Sequence, residues 1–474
     1  MIYTPRDYQI ALRTFAMDGE RVQWWAGTGT GKTTAGLDTF DYLWMLGEAK
    51  HLLVVTTKNI ATLVWPRAIG MWENFSHLSC AVCVGTPAQR LAALRQRAHV
   101  TTVNTDVLPW LIDTLGDEWF FDVVFADEST RLKSLRISMQ TSKLGKQFMR
   151  KSGGGERAMK LARVAHKRVR YWINATGTPS PNGLIDLWGQ AWFVDAGERL
   201  GRSFSAFSDR WFKWEQVGNE AFQRVLVPLP HADAQIKAAL RDVTMTIEAK
   251  DYMDLPPTVI NKIVIPIPAD AYKHYREMEK EMFTQIEEHE IEAVSAGAKM
   301  MKVRQLAAGA AYVDDDSNFT EIHSVKIDAL KDIISESNGE PVIVAYYFKS
   351  DLARLRKAFP QGVMFDGKQS TLQRFIAGRI PILFIHPKSA AHGLDGMQEA
   401  CRTVVFVSPL WELEEYEQLI ERVGATRQVQ SGQYRTVYVH QLIGENTVDE
   451  EMFERLESKA SVQDALRQAM KRRG

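Results

Sequence analysis

The sequence predicts an α/β protein with two parallel-sheet lobes. Three observations carry this prediction. Short apolar, β-rich runs alternate with longer amphipathic stretches through the first part of the chain. The same rhythm returns near residue 340. A glycine-rich loop joins the first apolar run to a helical pattern. Strands buried on both faces read as continuous apolar runs, and helices between them supply the crossovers a parallel sheet needs.

The elements follow in order. QWWA (23–26), HLLVVTT (51–57), CAVCVG (80–85), HVTTVN (99–104) and FDVVFA (121–126) read as buried strands of the first lobe, residues 1–181. INATGTPSP (173–181) is a further strand running into a turn-rich loop. Residues 182–250 are rich in Trp and Phe, and 182–258 read as a small helical protrusion with an aromatic core. DLPPTVINKIVIPIP (254–268) is proline-punctuated and extended, the expected crossing between halves. Residues 259–323 are taken as linker plus a charged helical protrusion of the second lobe. That lobe spans 324–474, with strands at PVIVAYY (341–347), PILFIH (381–386), RTVVFV (402–407) and TVYVHQL (436–442). Helical stretches such as SDLARLRKAF (350–359) and EEYEQLIERV (414–423) lie between them.

Composition excludes several classes. The chain has 474 residues, enough for two or three domains, and 45% apolar content, ordinary for a globular protein. No long apolar run or basic-then-apolar leader appears, so no membrane span and a cytoplasmic location are expected. Net charge is zero, from 58 basic and 58 acidic residues, so any nucleic-acid contact must rest on local charge. Cys80 and Cys83 form a lone CxxC with Cys401 far away, short of four zinc ligands, and LSCAVCVG reads as a core strand.

AGTGTGKT (26–33) follows a strand and opens a helical pattern, the context a phosphate-binding loop requires. Gly27, Thr28, Gly29, Thr30, Gly31, Lys32, Thr33 and Thr34 are its candidate nucleotide-binding residues. Successive glycines let backbone N–H groups curl around phosphate oxygens, at a helix N-terminus whose dipole favours anions. Lys32 would reach the β- and γ-phosphates of ATP, and the Thr33 hydroxyl would ligate Mg2+. About 95 residues after Lys32, FFDVVFADEST (120–130) ends a strand in two carboxylates. Asp127 is placed to hold Mg2+ and Glu128 to polarise the attacking water.

These motifs and those that follow make the chain similar to superfamily-two helicases, and within them to Swi/Snf-type double-stranded-DNA translocases. PRDYQ (5–9) resembles the opening adenine-recognition motif, with Gln9 as the base-reading residue. AGTGTGKT resembles motif I, VVTTKN (54–59) motif Ia, DEST (127–130) motif II and ATGTP (175–179) motif III. SVKIDALKDII (324–334) resembles the entry to the second lobe, VIVAYYFKSDLARL (342–355) motif IV, and FDGKQSTLQRF (365–375) an aspartate–glycine turn with its downstream arginine. HPKSAAHGLDGMQEA (386–400) resembles motif V, with Gly393 and Asp395 at the nucleotide. FVSPLWELEEYEQLIERVGATRQ (406–428) resembles the segment running into motif VI. TVDEEMFERLESK (447–459) resembles the closing helix.

The resemblance implies two RecA-like lobes of the P-loop NTPase class, ATP and Mg2+ as cofactors, and a nucleic-acid-driven ATPase. It also implies a minimal bacterial or phage-like motor acting in a bacterial or phage-infected host cell, with a monomer as the expected state. Two departures stand out. Ser129 and Thr130 replace the motif II residues that help couple hydrolysis to motion. In motif VI, Arg422 fits the first family arginine, but Val-Gly-Ala follows it, and the next arginine is Arg427. Arg427 is either an arginine finger or a solvated helix-end charge.

Between motifs II and III, residues 131–170 hold thirteen Lys or Arg against one acid, Glu156. Charge runs are often solvated faces. Here the imbalance points to phosphate-backbone contact, non-specific and salt-sensitive. Lys58, Lys133, Lys143, Lys146, Arg150, Lys151, Thr178 and Lys388 are the candidate contacts to nucleic acid, double-stranded DNA by the resemblance. A strand-separating helicase and an ATP-switched binding protein without turnover remain the competing functions.

Overall fold

The computed structural model describes residues 1–27, 29–141, 147–216, 224–288, 293–313, 318–390 and 395–470. It divides into two compact units, Met1–Tyr252 with the chain from Ser461 on, and Met253–Ala460.

The strands of the first unit are β1 (Arg21–Ala26), β2 (Leu52–Thr56), β3 (Cys80–Val82), β4 (Val100–Asn104), β5 (Val123–Asp127), β6 (Leu135–Thr141), β7 (Gln147–Gly154), β8 (Tyr171–Thr176), β9 (Phe212–Gln216), β10 (Arg224–Pro228) and β11 (Thr244–Ile247). Seven of them form one sheet in the order β11-β1-β8-β5-β2-β4-β3. Each neighbouring pair in it is parallel. Successive side chains of a strand face opposite sides of the sheet. Trp25, Val55, Val124 and Trp172 therefore enter one core, while Trp24, Val54, Phe125 and Ile173 enter the other. Both faces are dry because helices cover both, which is why these strands are apolar throughout rather than alternating.

The structure departs from the expected protrusion at 182–258. Trp188, Trp192, Phe193, Phe207, Trp211 and Phe212 belong to the same core as β5 and β8. The stretch also returns to the sheet as its edge strand β11, paired with β1 from Gln23↔Thr244 to Ala26↔Ile247. Its aromatics are needed to cover one face of the first sheet, so they do not form a core of their own. Within it β9 and β10 make an antiparallel hairpin. A second hairpin, β6–β7, carries the middle of the basic run. Cys83 lies in the first core, and burial pushes its thiol up to about 11.

The second unit contains β12 (Thr258–Ile265), β13 (Ala310–Tyr312), β14 (Phe319–Glu321), β15 (Val342–Ala345), β16 (Val363–Met364), β17 (Ile382–Ile385), β18 (Thr403–Phe406) and β19 (Val437–Gly444). Its parallel sheet runs β12-β19-β18-β15-β17-β16. The extended segment expected to cross between halves is thus β12, the sheet's edge, and the second unit begins earlier than residue 324. The charged stretch before β13 forms the helices Ala269–Glu288 and Ala293–Ala308. A buried ion pair, Lys326 with Asp449, ties the helix Val325–Glu336 to the final helix Val448–Met470. Each unit thus has a parallel sheet between apolar cores.

Candidate nucleotide site

In the first sheet β8 lies between β1 and β5. The three strands end at matched levels, with Trp25 opposite Thr176 and Asp127 opposite Ala175. The glycine loop, the carboxylate pair and the ATGTP loop therefore emerge side by side. Ligands of open parallel sheets bind at this carboxyl edge.

The loop after β1 is held from both sides. Gly27 N–H donates to the Ile247 carbonyl of β11 (3.0 Å), so the edge strand outside the expected lobe boundary anchors it. Thr30 Oγ1 donates to the Gly27 carbonyl (2.7 Å). Gln9 Nε2 donates to the Thr30 carbonyl (3.1 Å). Gln9 Oε1 accepts from Tyr3 OH (3.1 Å) and Arg6 N–H (3.0 Å). The opening motif is thereby bonded to the phosphate loop itself. Gly29 and Gly31 have φ of 79° and 76°, the left-handed region. A Cβ on Gly31 would sit 2.5 Å from Gln9 Nε2. Gly31 caps the helix Lys32–Met45, whose first turn contains Thr33 and Thr34. Lys32 Nζ donates to the carbonyls of Ala26 (2.9 Å) and Gly27 (3.3 Å).

Asp127 ends β5 and is buried. Burial, then the neighbouring Glu128, push its carboxyl up to about 6, against the opposing pull of Trp65 and Lys32. Trp65 Nε1 donates to Asp127 Oδ2 (3.0 Å) and fixes the carboxylate's orientation. Glu128 adopts the left-handed conformation (φ 62°, ψ 57°), costly for a non-glycine residue by about 1–3 kcal/mol and typical of functional turns. The donor set suits ATP with Mg2+: a hydroxyl and a carboxylate are the hard oxygen ligands magnesium takes. Left-handed glycines before a helix N-terminus are a form that suits phosphate, and a side chain at Gly31 would collide with the Gln9 amide there. Among the described residues no cluster of three or more His, Cys, Asp or Glu side chains is arranged to hold a metal by protein ligands alone.

The remaining candidates are more dispersed. Lys58 is exposed beside β2, and Thr178 is buried, its N–H donating to Thr176 Oγ1 (3.1 Å). Lys133 is half-buried and paired with Asp186 (3.5 Å). Arg150 is exposed on β7, and of Lys151 the backbone alone is described. In the second unit Lys388 is exposed and Arg422 is buried at the end of the helix Leu413–Glu421. Arg427, in the short helix Ala425–Gln430, pairs with Asp395, which brings motif VI and motif V together. Thr28, Lys143, Lys146 and Gly393 lie outside the described residues.

Sequence reasoning did not find Tyr3, Trp65, Asn174 or Gln190. Trp65 meets Asp127 across 62 positions of chain. Nothing local marks such a pairing.

No known protein-family profile matches the chain. It is 46% identical over 473 residues to protein p41 of Acyrthosiphon pisum secondary endosymbiont phage 1, covering 99% of both chains. It is 24% identical over 301 residues to the uncharacterized ATP-dependent helicase MG018 of Mycoplasma genitalium, covering 60% of this chain and 27% of that one. Among solved structures, the Sulfolobus solfataricus SWI2/SNF2 ATPase core in complex with dsDNA aligns over 98% of this chain and 93% of its own, at 17% identity and a TM-score of 0.43. No helix among the described residues is long and apolar enough to cross a membrane.

Proposed function

This chain belongs to the same family as the phage protein p41, and we propose that it is an ATPase driven by nucleic acid, a double-stranded-DNA translocase of the superfamily-two type. The observation that carries the proposal is the meeting of three loops at one sheet edge, with the buried Asp127 ending β5 there. The likeness to a helicase described as ATP-dependent supports the reaction class.

In the proposed reaction, backbone N–H groups after β1 bind the phosphates, and Lys32 Nζ exchanges its two carbonyl partners for phosphate oxygens. Gln9 orients the base. Thr33 and Asp127 would hold a magnesium ion, which would supply charge neutralisation for phosphoryl transfer. Trp65 holds the Asp127 carboxylate in place. Glu128 orients the attacking water and takes its proton on the carboxylate. Arg422 and Arg427 are proposed contributors to turnover, and Lys58, Arg150, Thr178 and Lys388 to DNA contact.

Steady-state ATP hydrolysis without nucleic acid, and with single-stranded DNA, double-stranded DNA or RNA, tests the proposal. Stimulation chiefly by double-stranded DNA is expected, with Lys32→Ala and Glu128→Gln each abolishing turnover. Stimulation chiefly by single strands would point to an unwinding helicase instead. ATP binding without hydrolysis under every condition would make the protein a switch, the outcome that Ser129 and Thr130 in motif II leave open. Substantial hydrolysis by both variants would refute the site.

A further inference from the structure

We propose that Gln190 is a positioning residue that links the carboxylate turn after β5 to the ATGTP loop after β8, through the Ser129 hydroxyl. This rests on the ATPase reading above and deepens it.

The link is a chain of buried hydrogen bonds. Ser129 Oγ donates to Gln190 Oε1 (2.8 Å). Gln190 Nε2 donates to the Pro179 carbonyl (2.7 Å) and to the Asp186 carbonyl (3.1 Å). The Gln190 backbone carbonyl accepts from Asn174 Nδ2 (2.9 Å), and Asn174 Oδ1 accepts from Trp172 Nε1 (2.8 Å). Ser129, Asn174 and Gln190 are each 1% exposed. One amide thus spans the two loops, its oxygen on the residue after Glu128 and its nitrogen on the residue after Thr178.

Burial makes this link stiff. An unmade hydrogen bond at such a buried site is costly, so the loops are held together rather than loosely adjacent. Glu128, immediately before Ser129, sits in a left-handed conformation that its surroundings must hold. A shift of the Glu128 turn either breaks the 2.8 Å Ser129 bond or carries Gln190 with it. Carrying Gln190 pulls the Pro179 carbonyl and the neighbouring Thr178. Ser129 differs here from its neighbour: Thr130 Oγ1 is buried with no hydrogen-bond partner among the described residues, so the hydroxyl of Ser129 alone makes the connection. The helix Leu187–Asp195 that bears Gln190 packs on β1 and β8, which gives the amide a fixed base.

The test compares wild type, Ser129→Ala, Gln190→Leu and the double variant, each assayed for ATP hydrolysis with and without double-stranded DNA and for thermal unfolding. Ser129→Ala keeps the Gln190 bonds to Pro179 and Asp186 and cuts one link, so it serves should Gln190→Leu fold poorly. The expected result is a fall of about fivefold or more in the ratio of DNA-stimulated to basal turnover in each single variant, from one lost buried bond. The double variant is expected to be no worse than Gln190→Leu, because both changes break one connection. A stimulation ratio equal to wild type in folded Ser129→Ala overturns the link. So does a proportional loss of basal and stimulated rates that tracks melting temperature, which would make Gln190 a core residue. A wild type that hydrolyses ATP without any response to nucleic acid removes the function reading first, and the link falls with it.

Discussion

Gly31→Ala should damage nucleotide binding through Gln9, and the size of the effect can be worked from the geometry. Gly31 has φ of 76°, and an alanine held there costs about 1–2 kcal/mol. Its Cβ would lie 2.5 Å from Gln9 Nε2. Gln9 cannot swing aside freely, because its amide is bonded to Tyr3, Arg6 and Thr30 and is 5% exposed. Displacing it sacrifices the buried bond to the Thr30 carbonyl, about another 1–3 kcal/mol. The expected loss in ATP affinity is roughly 30-fold or more, read by titration with a fluorescent nucleotide. Gln9→Ala removes the obstructing amide, so in that background Gly31→Ala should cost only the backbone term. The cycle should show a coupling of about 1–3 kcal/mol. Equal losses from Gly31→Ala in both backgrounds, or affinity within about threefold of wild type, would refute the reasoning.

Lys326→Met leaves Asp449 buried with the Gly444 N–H (3.0 Å) as donor, so unfolding of the second unit should ease by about 3–5 kcal/mol. Calorimetry reads this, and Lys326→Met with Asp449→Asn should recover most of the loss; a silent single variant contradicts it. His323 is buried beside Lys326 and Arg354, and burial first, then those charges, hold its imidazole down to about 4. The depressed value means stability is fully present above about 6.5, the unfolded value, and is lost as pH falls from there towards about 4. His323→Gln should flatten that limb in denaturant titrations, and an unchanged limb would count against it. Reversing Lys143, Lys146, Arg150 and Lys151 together should lower the slope of log affinity against log salt for DNA by about 3–4, one counterion per lost phosphate contact. An unchanged slope would remove residues 143–151 from the DNA site.

Most of the sheet framework was legible because its strands are buried on both faces. QWWA, HLLVVTT, HVTTVN and FDVVFA became β1, β2, β4 and β5 within a residue or two at each end. Where the signal was weaker, tertiary context decided. The hairpin β6–β7 hides in a basic stretch, although Leu135, Ile137 and Met139 alternate with Arg136, Ser138 and Gln140 at the strand period. The glycines at its end are structural: a Cβ on Gly154, at φ 69°, would fall 1.9 Å from the Ser134 carbonyl oxygen. β11 is the four residues Thr244–Ile247, too short to separate from the aromatic region by periodicity. Gln9, Lys32 and Asp127 could be found by motif because a local spacing places them. Trp65 and Gln190 could not, because each acts on a partner that only the sheet order brings near.

The basic run gains its meaning from charges elsewhere in the chain. Arg157 pairs with Asp106 (2.6 Å), Lys160 with Asp113, Arg168 with Asp117, and Arg170 with Glu20 and Glu48. Lys133 pairs with Asp186, and the Arg136 guanidinium lies 3.8 Å from the centre of the Phe204 ring. The sequence window counts thirteen cations against one acid because the compensating acids come from outside it. Exposed pairs of this kind contribute little stability each, about 0–1 kcal/mol, but they remove net charge from the helix Glu156–Arg168 and its flanks. Among the described residues of the run, Arg150 is exposed on β7. A helix whose charges are offset by acids of neighbouring segments differs from a basic segment, and a polyanion distinguishes them: charge reversal at Lys143, Lys146, Arg150 and Lys151 should change DNA affinity, whereas Arg157→Glu and Arg168→Glu should act mainly by repelling Asp106 and Asp117.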